Sequence, residues 1–245
     1  MQKNKVFGLI GRNIDYSFSK EYFSKKFMNE KINCHYSNFD IDDISVLDSI
    51  FTKYNISGLN VTIPYKVEIM GILDKIDEEA ASIGAVNTIK IIGDKKIGYN
   101  TDHIGFERSI SSLIVDKKPE NALLLGSGGA SKAIKYVLKK LNINHSTVSR
   151  ESGKSDYTYE DIDEALIKKN KIIINCSPVG TFPEIKNCPK IPYEYLSKEH
   201  ILYDLVYNPI KTIFLKKGDE IGCKTKNGLE MLEIQANESW KIWNI

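Results

Sequence analysis

Asn121-Ala-Leu-Leu-Leu-Gly-Ser-Gly-Gly-Ala-Ser-Lys-Ala-Ile-Lys-Tyr-Val-Leu-Lys-Lys-Leu141 decides the fold. Asn121 to Leu125 is an apolar run of strand length that ends at Gly126. From Ser131 to Leu141 the apolar residues Ala133, Ile134, Val137, Leu138 and Leu141 recur at helical spacing. Between them lies the loop Gly126, Ser127, Gly128, Gly129, Ala130. A glycine loop between a strand and a helix is the setting in which such a loop holds a dinucleotide. Gly126 permits the tight turn, and Gly128 lets backbone approach a pyrophosphate with no side chain in the way. The unpaired N–H groups of the helix start then face the negative charge. Ser131 stands where a third glycine is usual, and it is small enough to pack. By itself the loop is equally compatible with an ordinary turn that binds nothing; its setting favours the dinucleotide.

About 20 residues on, such a fold places the group that meets the adenosine ribose. Here that position reads Ser149-Arg150-Glu151. Arg150 can stack on adenine and pair with a 2′-phosphate, which favours NADP. An acid in this place favours NAD, and Glu151 keeps that alternative open.

Outward from this stretch, strands and helices alternate, so the chain is α/β. Strands are expected at Val6–Ile10, His35–Asp40, Ser57–Thr62, Ala85–Ile92, His145–Ser149, Ile172–Asn175 and Ile201–Asp204. Helices are expected at Lys20–Lys31, Val46–Tyr54, Val67–Leu73, Asp77–Ile83, Asp161–Lys168 and Leu229–Trp243, with Pro64 suited to the entry of the third. A boundary falls within Thr101–Lys118, and Val115–Glu120 reads as a loop.

The 245 residues suffice for one large or two modest domains, and 42% of them are hydrophobic, enough for a real core. With 34 basic against 32 acidic residues, the net charge of +2 gives no field for nucleic acid or an acidic membrane. No apolar run approaches the length of a membrane span. Cys34, Cys176, Cys188 and Cys223 are scattered, and neither they nor the four histidines show metal-ligand spacing. Free thiols, no metal site and a reducing cytoplasm are the expectation.

The first hundred residues carry polar groups at the ends of the expected elements. Ser17 and Ser19 follow the first strand, and Asn60-Val-Thr-Ile-Pro-Tyr-Lys66 closes another. Gly84-Ala-Val-Asn-Thr88 opens the next, and Gly98-Tyr-Asn-Thr-Asp-His-Ile-Gly105 leads onward. Open α/β sheets place their sites at such ends. Ser17, Ser19, Thr62 and Asn87 can donate and accept hydrogen bonds, which suits a polyhydroxylated acid. Lys66 with Asp102 can handle the proton that leaves oxygen when hydride leaves carbon. Taken singly, Lys66 reads as a surface lysine and Asp102 as a helix cap; the whole set argues otherwise.

These blocks resemble the shikimate dehydrogenase family along nearly the whole chain. Asn60–Lys66 looks like the family's substrate motif, Gly84–Thr88 and Asn100–Asp102 like its next blocks, and Gly126–Ala130 like its cofactor loop. Asn175-Cys-Ser-Pro-Val-Gly180, Asp204-Leu-Val-Tyr-Asn-Pro209 and Gly228-Leu-Glu-Met-Leu-Glu-Ile-Gln235 resemble its later blocks. The resemblance implies Lys66 and Asp102 as the catalytic pair. It implies shikimate or 3-dehydroshikimate bound by Ser17, Ser19, Thr62, Asn87, Tyr207 and Gln235. It implies NADP along Gly126–Ala130, Ser149 and Arg150, with Leu205, Gly228 and Met231 by the nicotinamide.

The implied architecture is a substrate domain with a mixed sheet, residues 1–101 plus 233–245, joined across a cleft to a Rossmann-like parallel-sheet domain, residues 102–232. The implied activity is NADPH-dependent reduction of 3-dehydroshikimate in chorismate and aromatic amino acid biosynthesis, by a cytoplasmic monomer or homodimer. The alternatives are an NAD-using quinate/shikimate dehydrogenase and a non-catalytic sensor of a shikimate-like ligand. The chain departs from the family at Asn13, Tyr16 and Lys20, where proline, histidine and proline are usual, and at Ser149 and Glu151.

Overall fold

The computed structural model describes residues 5–15, 17–115 and 118–244. Tyr16 and part of the 115–120 loop therefore lie outside the described residues. The chain divides into two compact units, Met1–Thr101 with Ala236–Ile245, and Asp102–Gln235.

The first unit contains β1 (Lys5–Gly11), α1 (Phe18–Asn29), β2 (Cys34–Asp40), α2 (Leu47–Lys53), β3 (Ile56–Val61), β4 (Lys75–Ile76), α3 (Glu78–Ile83), β5 (Thr88–Ile92) and β6 (Lys95–Tyr99). Its sheet runs β2-β1-β3-β5-β6-β4. Both β2 and β3 pair parallel with β1, while β5 pairs antiparallel with β3 and β6, so the sheet is mixed. One apolar cluster includes Ile10, Leu59, Val61 and Ile89; a second joins Phe7, Phe23, Phe27 and Tyr36 to Trp240 and Trp243.

The second unit contains α4 (Asp102–Ser111), β7 (Asn121–Leu125), α5 (Gly129–Lys140), β8 (Asn144–Ser149), β9 (Tyr157–Thr158), α6 (Glu164–Lys169), β10 (Ile172–Asn175), β11 (Ile201–Asp204), α7 (Ile213–Ile221), β12 (Lys224–Lys226) and the start of α8 (Leu229–Asn244). The sheet is wholly parallel, in the order β12-β11-β10-β7-β8-β9. Counted from β7, that order is 6-5-4-1-2-3, the doubly wound dinucleotide arrangement, whose direction reverses between β7 and β10. Ala122 to Leu125 and Ile172 to Ile174 are completely buried, as strands covered on both faces must be.

Several expectations need correction. The segment 67–73 is a short 3-10 turn, Glu68–Ile72, not an α-helix, and Pro64 sits in the preceding turn rather than at a helix entry. Gly71 and three β-branched residues, Val67, Ile69 and Ile72, disfavour an α-helix there, and Met70 N–H bonds to Val67 O in the 3-10 manner. The helix expected at 161–168 is split. A 3-10 turn ends at Asp161, and α6 starts afresh because the Asp163 side chain caps Leu166 N–H. The helix expected at 46–54 opens with a 3-10 turn, Ile44–Val46. Sequence reading omitted β4, β6, α4, β9, α7 and β12.

Candidate active site

In the first unit the sheet reverses direction at β1, between neighbours β2 and β3, and the polar set gathers at the carboxyl ends of β1 and β3. Thr62 N–H donates to Ile10 O at 2.8 Å, and Arg12 N–H donates to Ile63 O at 3.1 Å. The two loops therefore leave the sheet side by side. The first is pinned by Asp40, whose carboxylate accepts from Asn13 N–H at 2.9 Å and Ile14 N–H at 3.0 Å, and by Asn38, which donates to Ile14 O. It delivers Ser17 as the N-cap of α1, with Ser17 Oγ accepting from Ser19 N–H, and Ser19, which is buried in the first turn. The second loop delivers Thr62 and Lys66, both half-buried. Lys66 O accepts from Val86 N–H at 2.7 Å, and Val61 N–H donates to Asn87 O at 2.8 Å. Lys66 and Asn87 are thereby held on adjoining backbone.

The Asn87 carboxamide has its orientation fixed. Its Oδ1 accepts from Thr101 N–H at 2.7 Å, and its Nδ2 donates to Thr101 Oγ1 at 2.9 Å. A backbone N–H can only donate, so oxygen and nitrogen cannot be exchanged.

In the second unit the glycine loop lies at the carboxyl end of β7, beside the reversal. Gly126 adopts φ +120°, and a Cβ there would stand 3.2 Å from the Cys176–Ser177 peptide. The fold itself demands this glycine. Gly128 differs: its φ of −71° suits any residue, and a Cβ would meet nothing within 4 Å. The fold does not demand a glycine there, and the open space fits a ligand that approaches the backbone. Gly128 is the N-cap of α5 and makes no side-chain cap bond, so the helix start presents N–H groups suited to phosphate. Ser131, only 1% exposed, donates to Gly128 O at 2.7 Å, which shows how the third glycine is dispensed with. These features fit a dinucleotide pyrophosphate along Gly126–Ala130.

The neighbouring strand ends complete the cofactor side. Gly126 N–H donates to Val148 O, and β8 ends at Ser149. Ser149 Oγ donates to Glu151 O and accepts from Glu151 N–H, a tight turn that leaves Arg150 exposed at its apex. Glu151 pairs with Lys154 at 2.6 Å, which holds its carboxyl below the usual range. Leu205 N–H bonds to Asn175 O, and Gly228 N–H to Val206 O. A side chain on Gly228 would collide with Leu205 O, so Leu205 and Gly228 are held in backbone contact. Tyr207 is half-buried on the same stretch. Gly105, one turn into α4, packs against Met231 O and Gln235 Cβ of α8. The buried Asp102 and Gln235 thus lie on two helices in close contact.

One organising group went unassigned in the sequence. Asp204 is fully buried, and its carboxylate accepts from Asn175 Nδ2, Val206 N–H and Thr212 Oγ1. Asn175 in turn accepts from Ser177 N–H and Oγ and donates to Val179 O. One carboxylate therefore fastens two cofactor-side loops together. Burial raises its pKa to about 6, against the three hydrogen bonds, which lower it. Burial and the nearby Asp204 also raise the Cys176 thiol, which argues against a reactive cysteine.

A doubly wound sheet with an open glycine loop, and a second sheet carrying lysine, hydroxyl and amide groups at its own reversal, define an oxidoreductase that uses a nicotinamide dinucleotide. Residues 9–89 match the family described as the shikimate dehydrogenase substrate binding domain. A shikimate dehydrogenase (NADP+) of Methanococcus maripaludis is 40% identical over 260 residues, covering 98% of this chain and 92% of the relative. A crystal structure of a shikimate dehydrogenase in complex with NADP+ superimposes with TM-score 0.86 at 36% identity, covering 98% of this chain and 90% of that one. A quinate dehydrogenase from Corynebacterium glutamicum in complex with NAD has the same TM-score at 25% identity, with 98% and 93% covered. The chain belongs to the shikimate dehydrogenase family. Among the described residues, no helix is long and apolar enough to cross a membrane.

Proposed function

We propose that this enzyme interconverts 3-dehydroshikimate and shikimate with NADPH and NADP+, as a step of chorismate and aromatic amino acid biosynthesis. The observation that carries the reading is the juxtaposition of Lys66, Thr62, Ser19 and Asn87 at the reversal of the first sheet. When bound along Gly126–Ala130, the nicotinamide cofactor supplies the hydride that reduces the ring carbonyl carbon. Lys66 does the proton work: its ammonium gives a proton to the carbonyl oxygen as that oxygen becomes a hydroxyl, and in oxidation the neutral amine takes the proton back. Asp102 accepts a hydrogen bond from a substrate hydroxyl. Ser17, Ser19 and Thr62 donate hydroxyl hydrogens to the substrate carboxylate. Asn87, Tyr207 and Gln235 orient the ring hydroxyls. Ser149 shapes the turn that presents Arg150 to the 2′-phosphate, and Leu205, Gly228 and Met231 border the nicotinamide.

Lys66→Ala tests the assignment. Turnover falls by roughly two to four orders of magnitude, the span of a lost general acid–base group, whereas near-normal turnover in a folded variant defeats it.

Glu151 is the observation that favours the second reading, an NAD-using quinate/shikimate dehydrogenase. Its charge is already engaged by Lys154, which supports the NADP reading. A sensor that binds without reacting has no use for Lys66 and Asp102 together, and this chain has both. Residence in the cytoplasm is supported by four free cysteines. The assembly proposed is a monomer or homodimer, to be read by sedimentation.

A further inference from the structure

A chain of buried polar side chains crosses the first unit. The Tyr36 hydroxyl donates to Asn60 Oδ1 at 2.8 Å. Asn60 Nδ2 donates to Ser239 Oγ at 3.0 Å and to Thr88 Oγ1 at 3.3 Å. Ser239 Oγ and Thr88 Oγ1 are 2.7 Å apart, and Thr88 Oγ1 donates to Asn87 Oδ1 at 3.1 Å. Thr101 Oγ1 lies 3.2 Å from Ser239 Oγ. Ser239, Thr88 and Thr101 are completely buried, and Tyr36, Asn60 and Asn87 nearly so.

The directions of the bonds to and from the amides follow from chemistry. The tyrosine proton on Asn60 Oδ1 identifies that atom as the oxygen, so Asn60 must donate from Nδ2. Asn87 Oδ1 can only accept, so Thr88 is the donor in their contact, while between Ser239 and Thr88 either hydroxyl can donate. The network ends on Asn87, a side chain that the proposed function places on the substrate.

Anchoring α8 does not require this chain. Trp243 of α8 already donates to Ile89 O at 2.9 Å and stacks on Phe7 with centroids 4.8 Å apart, and Trp240 packs on Phe7 and Phe27. Buried polar clusters cost desolvation, and an apolar residue at 239 would serve anchoring alone. We propose that Ser239 is a positioning residue for substrate binding: its hydroxyl holds Thr88 and Thr101, the two residues that hydrogen-bond the Asn87 carboxamide, and so keeps Asn87 in the place that Thr101 N–H orients. This inference rests on the functional reading above, because it takes Asn87 as a substrate ligand.

Ser239→Ala and Thr88→Val, both in the full chain, test it by steady-state kinetics with shikimate and NADP+. Each variant raises the KM for shikimate about tenfold, the scale of one misdirected hydrogen bond. The KM for NADP+ stays within about twofold and kcat within about threefold, the pattern of lost ground-state binding. Thr88→Ser, which keeps the hydroxyl, restores a KM near the unsubstituted value. The double variant Ser239→Ala/Thr88→Val is no worse than the worse single one, because both interrupt one chain. A Ser239→Ala enzyme with unchanged KM for shikimate and a lowered melting temperature makes the network purely structural and overturns the inference. So does an equal rise in both KM values, or Thr88→Ser behaving like Thr88→Val. An unsubstituted protein that turns over no shikimate sinks the functional reading, and this inference with it.

Discussion

Gly126 and Gly128 sit two residues apart in one loop, yet the fold demands glycine only at Gly126, and the proposed cofactor site gives Gly128 a different reason. Gly126 adopts φ +120° with the Cys176–Ser177 peptide against its Cα, whereas Gly128 has an ordinary φ and open space where a Cβ would point. Gly126→Ala forces an L residue into a strained conformation at a cost of about 1–3 kcal/mol. At roughly 2–4 °C per kcal/mol for a chain of this size, the melting temperature falls by about 2–12 °C. Gly128→Ala replaces a fair N-cap by a poor one, a loss of roughly 1 kcal/mol. Reduced freedom of the unfolded chain offsets about 0.4–1 kcal/mol of that. Its melting temperature therefore stays within about 4 °C of the unsubstituted value.

The cofactor sees the reverse order of importance at the second glycine. A methyl at Gly128 obstructs the approach of a phosphate to the helix N–H groups, and a hydrogen bond to a charged group contributes about 1.5–3 kcal/mol. At 1.36 kcal/mol per decade, the KM for NADP+ rises by about 10- to 150-fold. The KM for shikimate is unaffected. Thermal melts beside cofactor titrations of both variants decide the matter. Gly128→Ala with unsubstituted cofactor affinity, or with a stability loss matching Gly126→Ala, refutes the assignment of this loop to the pyrophosphate.

Three further outcomes follow from named groups. Arg150→Ala shifts the ratio of kcat/KM for NADP+ over NAD+ toward NAD+ by at least about tenfold, the scale of a charge-assisted contact; an unchanged ratio removes Arg150 from the 2′-phosphate site. Asp204 binds its proton more tightly folded (pKa about 6) than at its ordinary value of 3.8, so its contribution to stability is present below about pH 4 and lost as pH rises through about 6. The swing is at most about 3 kcal/mol. Denaturant titrations from pH 4 to pH 7 should show a shallower pH dependence in Asp204→Asn, and an identical dependence in both proteins contradicts the raised pKa. Gly105→Ala places a methyl 2.5 Å from Met231 O, so α4 and α8 must separate and the melting temperature drops; an unchanged melting curve refutes that backbone contact.

The central strands of the second unit were the most legible elements in the sequence. Asn121–Leu125, Ile172–Asn175 and Ile201–Asp204 were expected as strands and are strands with those bounds, because strands covered on both faces must be apolar throughout. β6 was not read, since Lys95-Lys-Ile-Gly-Tyr99 has one aliphatic residue and lies half-exposed in a hairpin. The two-residue connection Gly93-Asp94, with Gly93 at φ +59°, was the signal available for it. Thr212 before Ile213-Phe-Leu215 was an N-cap signal for α7.

The glycine loop and the polar motifs were visible because each is contiguous. The groups that orient them were not. Ser239 lies 179 residues from Asn60 and 151 from Thr88, and Asp204 lies 29 from Asn175. No local pattern joins such residues; only the topology does. Asp40, which pins the serine loop through Asn13 and Ile14, was read merely as the end of a strand.

The central claim is a reaction, and one measurement addresses it directly. The purified full chain is mixed with shikimate and either NADP+ or NAD+, and the absorbance of the reduced nicotinamide is followed. The account predicts shikimate-dependent reduction, with kcat/KM for NADP+ above that for NAD+. No reduced nucleotide with either cofactor, from a folded protein that still binds shikimate, contradicts it.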